Sequence, residues 1–303
     1  MNLPDPIRRF AAPALVLSTA LVLAACSASR PAEVRTHSPD VAAIERDVVA
    51  KLSGQTEIEP GLKLANRFAP ENKRAARAFL ERTWKGLGLT VQKQDYSAEG
   101  ENLFAFLPAT APSDEFVVFG AHYDTSRNSP GANDNATGTA LVTAAAAELV
   151  RMTPRGRNVF LVLFDEEERG LRGSRAFAQK MKDENRKIHS VHTVDQMGWD
   201  KDGDRTIELE LPYDGAVALY EAAAKAMPAP IPILVTKEAG SDHSAFRRLG
   251  FPAVGLTEEY RNKDTTPHIH KPTDTFETVQ FEYLKSTTDL VVRVWKELLL
   301  KPV

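Results

Sequence analysis

Six consecutive apolar residues, Val159 to Phe164, run straight into four carboxylates, Asp165, Glu166, Glu167 and Glu168. An apolar run without alternation fits a strand covered on both faces, and such strands belong to sheets packed between helices. Carboxylates gathered at the end of a buried strand are costly unless cations neutralise them. The junction therefore predicts both a layered α/β fold and a cation-dependent site at a strand's carboxyl end. Open α/β sheets place their binding crevice at that end.

The rest of the chain repeats the pattern of strand, loop and helix. Helical spacing at Val41, Ile44, Val48 and Leu52 predicts a first helix, and 72–87 a second. Residues 90–96 and 102–107 read as strands at a sheet edge. Phe116 to Phe119 is a short apolar strand, 137–150 an Ala-rich helix, 174–181 a helix and 188–194 a strand. A more exposed strand is expected at 206–211, then a helix at 215–227 and a strand at 231–235. A short helix at 243–249, a strand at 253–256 and a closing helix from about 277 to 300 complete the pattern. This alternation predicts one three-layer α/β/α domain with a mixed, mostly parallel central sheet. Of 303 residues 43% are hydrophobic and 26% charged, which excludes disorder as the main state. A net charge of -3, with basic residues spread along the chain, gives no basic face for nucleic acid.

Arg8 and Arg9 precede an apolar run from Phe10 to Ala25, short for a membrane span, which reads as an export signal. It ends in Leu23-Ala24-Ala25-Cys26, which resembles a bacterial lipobox, and Cys26 is the only cysteine. A plain secretory signal with a chance Cys is the alternative. The expectation is a signal peptide at 1–25, a lipidated Cys26 with a tether over 26–38, and a catalytic domain over 39–303. Such a chain would sit in the bacterial cell envelope, held by the lipid. Ser27 rather than Asp after the cysteine favours the outer membrane, facing the periplasm. Without a disulfide, stability must come from the core.

Five polar clusters follow predicted strands or fill loops. In Gly120-Ala121-His122-Tyr123-Asp124 a His could ligate a metal while Asp124 orients it, or the cluster could be a satisfied turn. In Asn133-Asp134-Asn135-Ala136-Thr137-Gly138, Asp134 is placed to bridge two cations, though Asn135 or Thr137 could simply cap the following helix. Asp165 to Glu168 is the third cluster, and Asp195 ends another apolar strand. His268 and His270 alternate in an extended segment, so one of them at most points to a common site. Ser241-Asp242-His243 lies between and also reads as a capped helix start.

Taken in order, His122, Asp134, Glu167-Glu168, Asp195 and His270 resemble the zinc exopeptidase family of bacterial aminopeptidases, glutaminyl cyclases and glutamate carboxypeptidases. The run Glu167-Glu168-Arg169-Gly170-Leu171-Arg172-Gly173-Ser174 carries most of the likeness, which extends over roughly residues 70 to 300. The resemblance implies two Zn2+ per chain, one held by Asp134, Glu168 and His270 and one by His122, Asp134 and Asp195. It makes Glu167 the general base, leaves Glu166 aside, and prefers His270 to His268 because Asp274-Thr275 follows. It also implies a cis peptide after Asp134, with Asp242 and His243 lining the pocket. Some relatives place a Tyr beside the last ligand; here that neighbour is Ile269, which leaves Tyr260 as a candidate to steady the oxyanion. The implied activity is removal of N-terminal residues from short peptides with a free amino terminus, by a monomer. The alternatives are glutaminyl-peptide cyclisation and an inactive peptide-binding lipoprotein.

Overall fold

The strand Asn158–Phe164 (β4) is buried at every position, as its unbroken apolar run requires. Its side chains alternate between two cores. Val159, Leu161 and Leu163 join one cluster, and Phe160, Val162 and Phe164 join the other. This is a computed structural model, and it describes residues 40–300. The expected leader, Cys26 and the whole tether lie outside the described residues.

The first layer of helices contributes to the Val159–Leu161–Leu163 side. It contains α1 (Val41–Leu52), α2 (Pro70–Gly86), α3 (Gly138–Leu149), α5 (Ala216–Lys225) and α7 (Phe281–Leu300). Trp295 of α7 stacks on Phe119 at 3.9 Å between ring centroids. The opposite layer is α4 (Arg172–Asp183) and α6 (His243–Arg247), which bring Phe177 and Phe246 against Phe164. Burying one such side chain contributes roughly 1.5–3 kcal/mol, so these two faces hold the sheet.

The sheet also contains β1 (Val91–Asp95), β2 (Glu101–Leu107), β3 (Glu115–His122), β5 (Lys187–Val194), β6 (Ile207–Glu210), β7 (Ile233–Thr236) and β8 (Ala253–Thr257). Its order is β1-β2-β4-β3-β5-β8-β6-β7. The centre, β4-β3-β5-β8, is parallel, so the carboxyl ends of these strands open to one edge. Antiparallel pairings join β1 to β2, β2 to β4 and β6 to β8, giving a mixed sheet with a parallel core.

Two expectations change. The helix α2 begins at Pro70, two residues early, because proline suits the first helical turn. The strand expected to be exposed, β6, is buried at all four positions, Glu208 and Glu210 included. Its charged residues suggested solvent, but the sheet covers it with β8 and β7 and turns its glutamates into a cleft. Among the described residues no helix is long and apolar enough to cross a membrane.

Candidate metal centre

Parallel strands end together, and here three of them deliver polar groups to one place. His122 is the last residue of β3, Glu167 and Glu168 form a single turn after β4, and Asp195 follows β5 directly. Asp134 lies in the irregular turn 132–137 before α3, and within that turn the Asp134–Asn135 peptide is cis. His270 arrives on the long loop after β8.

Asp134 is the centre of the arrangement. Its Oδ1 lies 3.5 Å from His122 Nε2, and that nitrogen lies 3.4 Å from Asp195 Oδ1. Its Oδ2 lies 3.1 Å from His270 Nε2, which is also 3.1 Å from Glu168 Oε2. Two groups of potential ligand atoms result, His122–Asp134–Asp195 and Asp134–Glu168–His270, each within 4.8 Å and sharing Asp134. His268 turns away and bonds Thr273 through Nδ1 at 2.9 Å.

The donor atoms fit a cation better than they fit one another. Both ring nitrogens of His122, Glu168 Oε1 and Asp195 Oδ1 are buried without a hydrogen bond. Buried polar atoms are ordinarily satisfied; His122 Nδ1 faces Asp124, and the other three at one point call for a bound charge. Imidazole and carboxylate donors suit zinc and similar divalent metals.

The titration behaviour follows. Asp134 and Glu168 raise His270 to about 10. Burial alone would lower His122, but Asp195 and Glu167 reverse that and raise it well above the usual range. Burial would raise Asp134, yet the two imidazoles hold it below the usual carboxylate range. Glu167 makes no close ion pair. Burial pushes it well above the ordinary value, and Asp195, Asp242 and Asp124 add to the shift.

Supporting contacts fix each group. Asp124 lies 3.4 Å from His122 Nδ1 and accepts the backbone N–H of Glu167 at 3.0 Å and of Glu168 at 3.3 Å. One carboxylate thus positions the imidazole and the turn that holds the two glutamates. Asn135 accepts from Gly138 N, as a helix cap would, and donates to Val194 O, tying the Asp134 turn to β5. The capping reading of that loop thus falls to Asn135 rather than Thr137. Glu166 points away, to Lys73, Arg169 and Arg172. Gly173 is required, since a Cβ there would meet Asp165 O at 2.3 Å.

A cavity of about 720 Å³ opens over the centre, lined by Asp134, Glu167, Glu168, Asp195 and His270, and by Gln196, Tyr260 and Ile269. Tyr260 donates its hydroxyl to Gln196 at 2.6 Å, and burial raises its pKa far above normal, so it stays protonated. Ser241 lines the cavity, whereas Asp242 and His243 are enclosed behind it. They stand at the start of α6, and neither lines the cavity.

Several supporting residues carry no motif. Asp274, wholly buried, accepts the backbone N–H of Asn133 at 2.8 Å and of Asp134 at 3.0 Å. Arg67 is fully buried and donates to the carbonyls of Leu52, Tyr123, Pro130 and Gly131 around the same loop. Glu258 holds Asn133 Nδ2 at 2.8 Å. Only Asp274 had a signal, its place four residues after His270.

The model of peptidase family M28 matches residues 102–295, well over half of the chain. The chain is 28% identical over 214 residues to a probable leucine aminopeptidase of Trichophyton verrucosum, an alignment covering 65% of this chain and 57% of that protein. It thus spans less than two thirds of that relative. The crystal structure of the LapA aminopeptidase of Legionella pneumophila aligns with a TM-score of 0.72 at 21% identity, over 87% of this chain and 75% of that one. A glutaminyl cyclase of Porphyromonas gingivalis aligns with a TM-score of 0.69 at 18% identity, over 84% of this chain and 98% of that one. These two likenesses are of fold. The family match spans His122, Asp134, Glu167, Glu168, Asp195 and His270 together, and the chain belongs to peptidase family M28.

Proposed function

We propose that this chain is a metallo-aminopeptidase that removes N-terminal residues from short peptides. In this reading two zinc ions are held, one by His122, Asp134 and Asp195 and the other by Asp134, Glu168 and His270. The observation that carries it is the shared Asp134, whose two oxygens face two separate imidazoles. When bound, a cation pair polarises the scissile carbonyl and lowers the pKa of an attacking water. Glu167 takes the water's proton and later delivers it to the leaving amine. Burial, which raises its pKa, makes it a stronger base toward that water in the first step. Asp124 keeps the Glu167–Glu168 turn in register with His122 throughout. The surplus of carboxylates around the cavity favours a substrate whose amino terminus is free and positively charged.

Glu167→Gln should lower kcat on aminoacyl-nitroanilides by about 10²–10⁴-fold with metal content unchanged. Activity within a few-fold of wild type would remove Glu167 from this role. Glutaminyl cyclisation is the second reading, favoured by the near-complete coverage of the Porphyromonas gingivalis enzyme. One metal per chain by elemental analysis, with cyclisation of glutaminyl peptides and no nitroanilide hydrolysis, would decide for it.

A further inference from the structure

Beyond the metal centre the cavity continues over the ends of β6, β7 and β8, and its wall there is acidic. Glu208, Glu210 and Glu238 line it together with Thr236, Thr257 and Arg261. Glu208 is 0% exposed. Its Oε2 accepts the backbone N–H of Arg261 at 2.8 Å, while its Oε1 is buried with no hydrogen bond. Glu210 is 8% exposed and makes no hydrogen bond among the described residues. The nearest cationic candidate, His243 Nδ1, is 3.6 Å from Glu210 Oε2 and is itself unpartnered. Burial raises Glu210 to about 8, and Asp195, Glu208 and Glu238 add like charge, whereas burial lowers His243 to about 4, leaving it neutral.

Buried carboxylates left without partners are costly, and these face a space open to a ligand. Arg261 is the one basic side chain of this end; it is exposed, and its Nη1 is engaged by Val235 O at 3.0 Å. Among the described residues neither Glu208 nor Glu210 belongs to a group of three ligand atoms close enough for a metal ion. That leaves an organic cation. A pocket for a leucine-like side chain would have apolar walls. Here, among the described residues, Ile269 is the only aliphatic side chain lining the cavity and Tyr260 the only phenyl-type ring.

We propose that the Glu208–Glu210–Glu238 end of the cavity is a subsite for a basic side chain, which selects peptides beginning with Lys or Arg. The inference rests on the aminopeptidase reading and adds its substrate class. An ammonium or guanidinium entering from the metal centre would partner Glu210 and the free oxygen of Glu208, with the Thr236 and Thr257 hydroxyls beside them.

The test compares lysinamide with norleucinamide, which share the α-amine and differ in the terminal ammonium. Calorimetric titration of the zinc-loaded protein should show lysinamide binding at least about tenfold more tightly. Glu210→Gln should bring that ratio toward one. Glu238→Gln, an exposed change that leaves the core untouched, should lower it by a smaller factor. Equal binding of the two amides, or a ratio unmoved in both variants, overturns the subsite. Hydrolysis of both lysyl- and leucyl-nitroanilides on the same sample separates the two ideas. Hydrolysis without a lysinamide advantage sinks the subsite alone; a lysinamide advantage with no nitroanilide hydrolysed sinks the aminopeptidase reading and keeps the subsite.

Discussion

Asp134 shows how much the candidate site depends on a residue that touches no substrate. Its two oxygens can face His122 and His270 only if its backbone is held, and Asp274 holds it through two N–H groups. Asp274→Asn keeps the shape but removes one acceptor. It should weaken zinc binding by about 10–100-fold, measured by competition with a chromogenic chelator, and excess zinc should restore activity. An unchanged affinity would show that Arg67 and Glu258 hold the loop without it. Asp274 itself is pushed up to about 6 by burial, so part of this support is lost in mild acid.

At the scale of elements, each helix and strand near the centre follows from its own pattern, but some buried charges work against the fold. Glu45 lies on the core-facing side of α1 at 1% exposure, with Oε1 unpartnered. Burial raises its pKa from 4.5 to about 7. Between those values the folded chain keeps a proton that the unfolded chain has released, so stability falls as pH rises through this window. Glu45→Gln should therefore stabilise the protein by about 3 kcal/mol at pH 8, with the gain shrinking toward zero near pH 4.5. Thermal melts of both proteins across that range would check it; a gain independent of pH would assign the effect to packing.

For the whole molecule, the centre joins segments that are far apart in the chain. The ends of β3, β4 and β5, the turn before α3 and the loop after β8 meet there, so metal bound at this point would link both halves of the sheet. Removing them leaves Asp134, Glu168 and Asp195 without their main neutralising charge. Treatment with a strong chelator should lower the melting temperature, and zinc at about 100-fold over its dissociation constant should restore roughly 2.7 kcal/mol. A melting temperature indifferent to chelator would count against a resident metal.

What the amino-acid order determined by itself was whatever depends on local pattern. The unbroken run Val159 to Phe164 could only be a covered strand or a buried helix, and its length and flanks favour the strand. Parallel strands then end at one edge, so His122, Glu167, Glu168 and Asp195 converge there. Asp134 and His270 came from likeness of motif, since a turn and a loop carry no periodicity to read. Only the tertiary structure decided the sign of burial for charged residues. Glu208 and Glu210 look like the solvent face of an edge strand in sequence, because alternation of charge and apolar residues is the same whether the polar face meets water or a cleft. The packing of β6 between β8 and β7 turned them inward. Arg67 and Glu258 were illegible because their partners lie far off in sequence, backbone carbonyls for Arg67 and the Asn133 side chain for Glu258, which no spacing rule encodes.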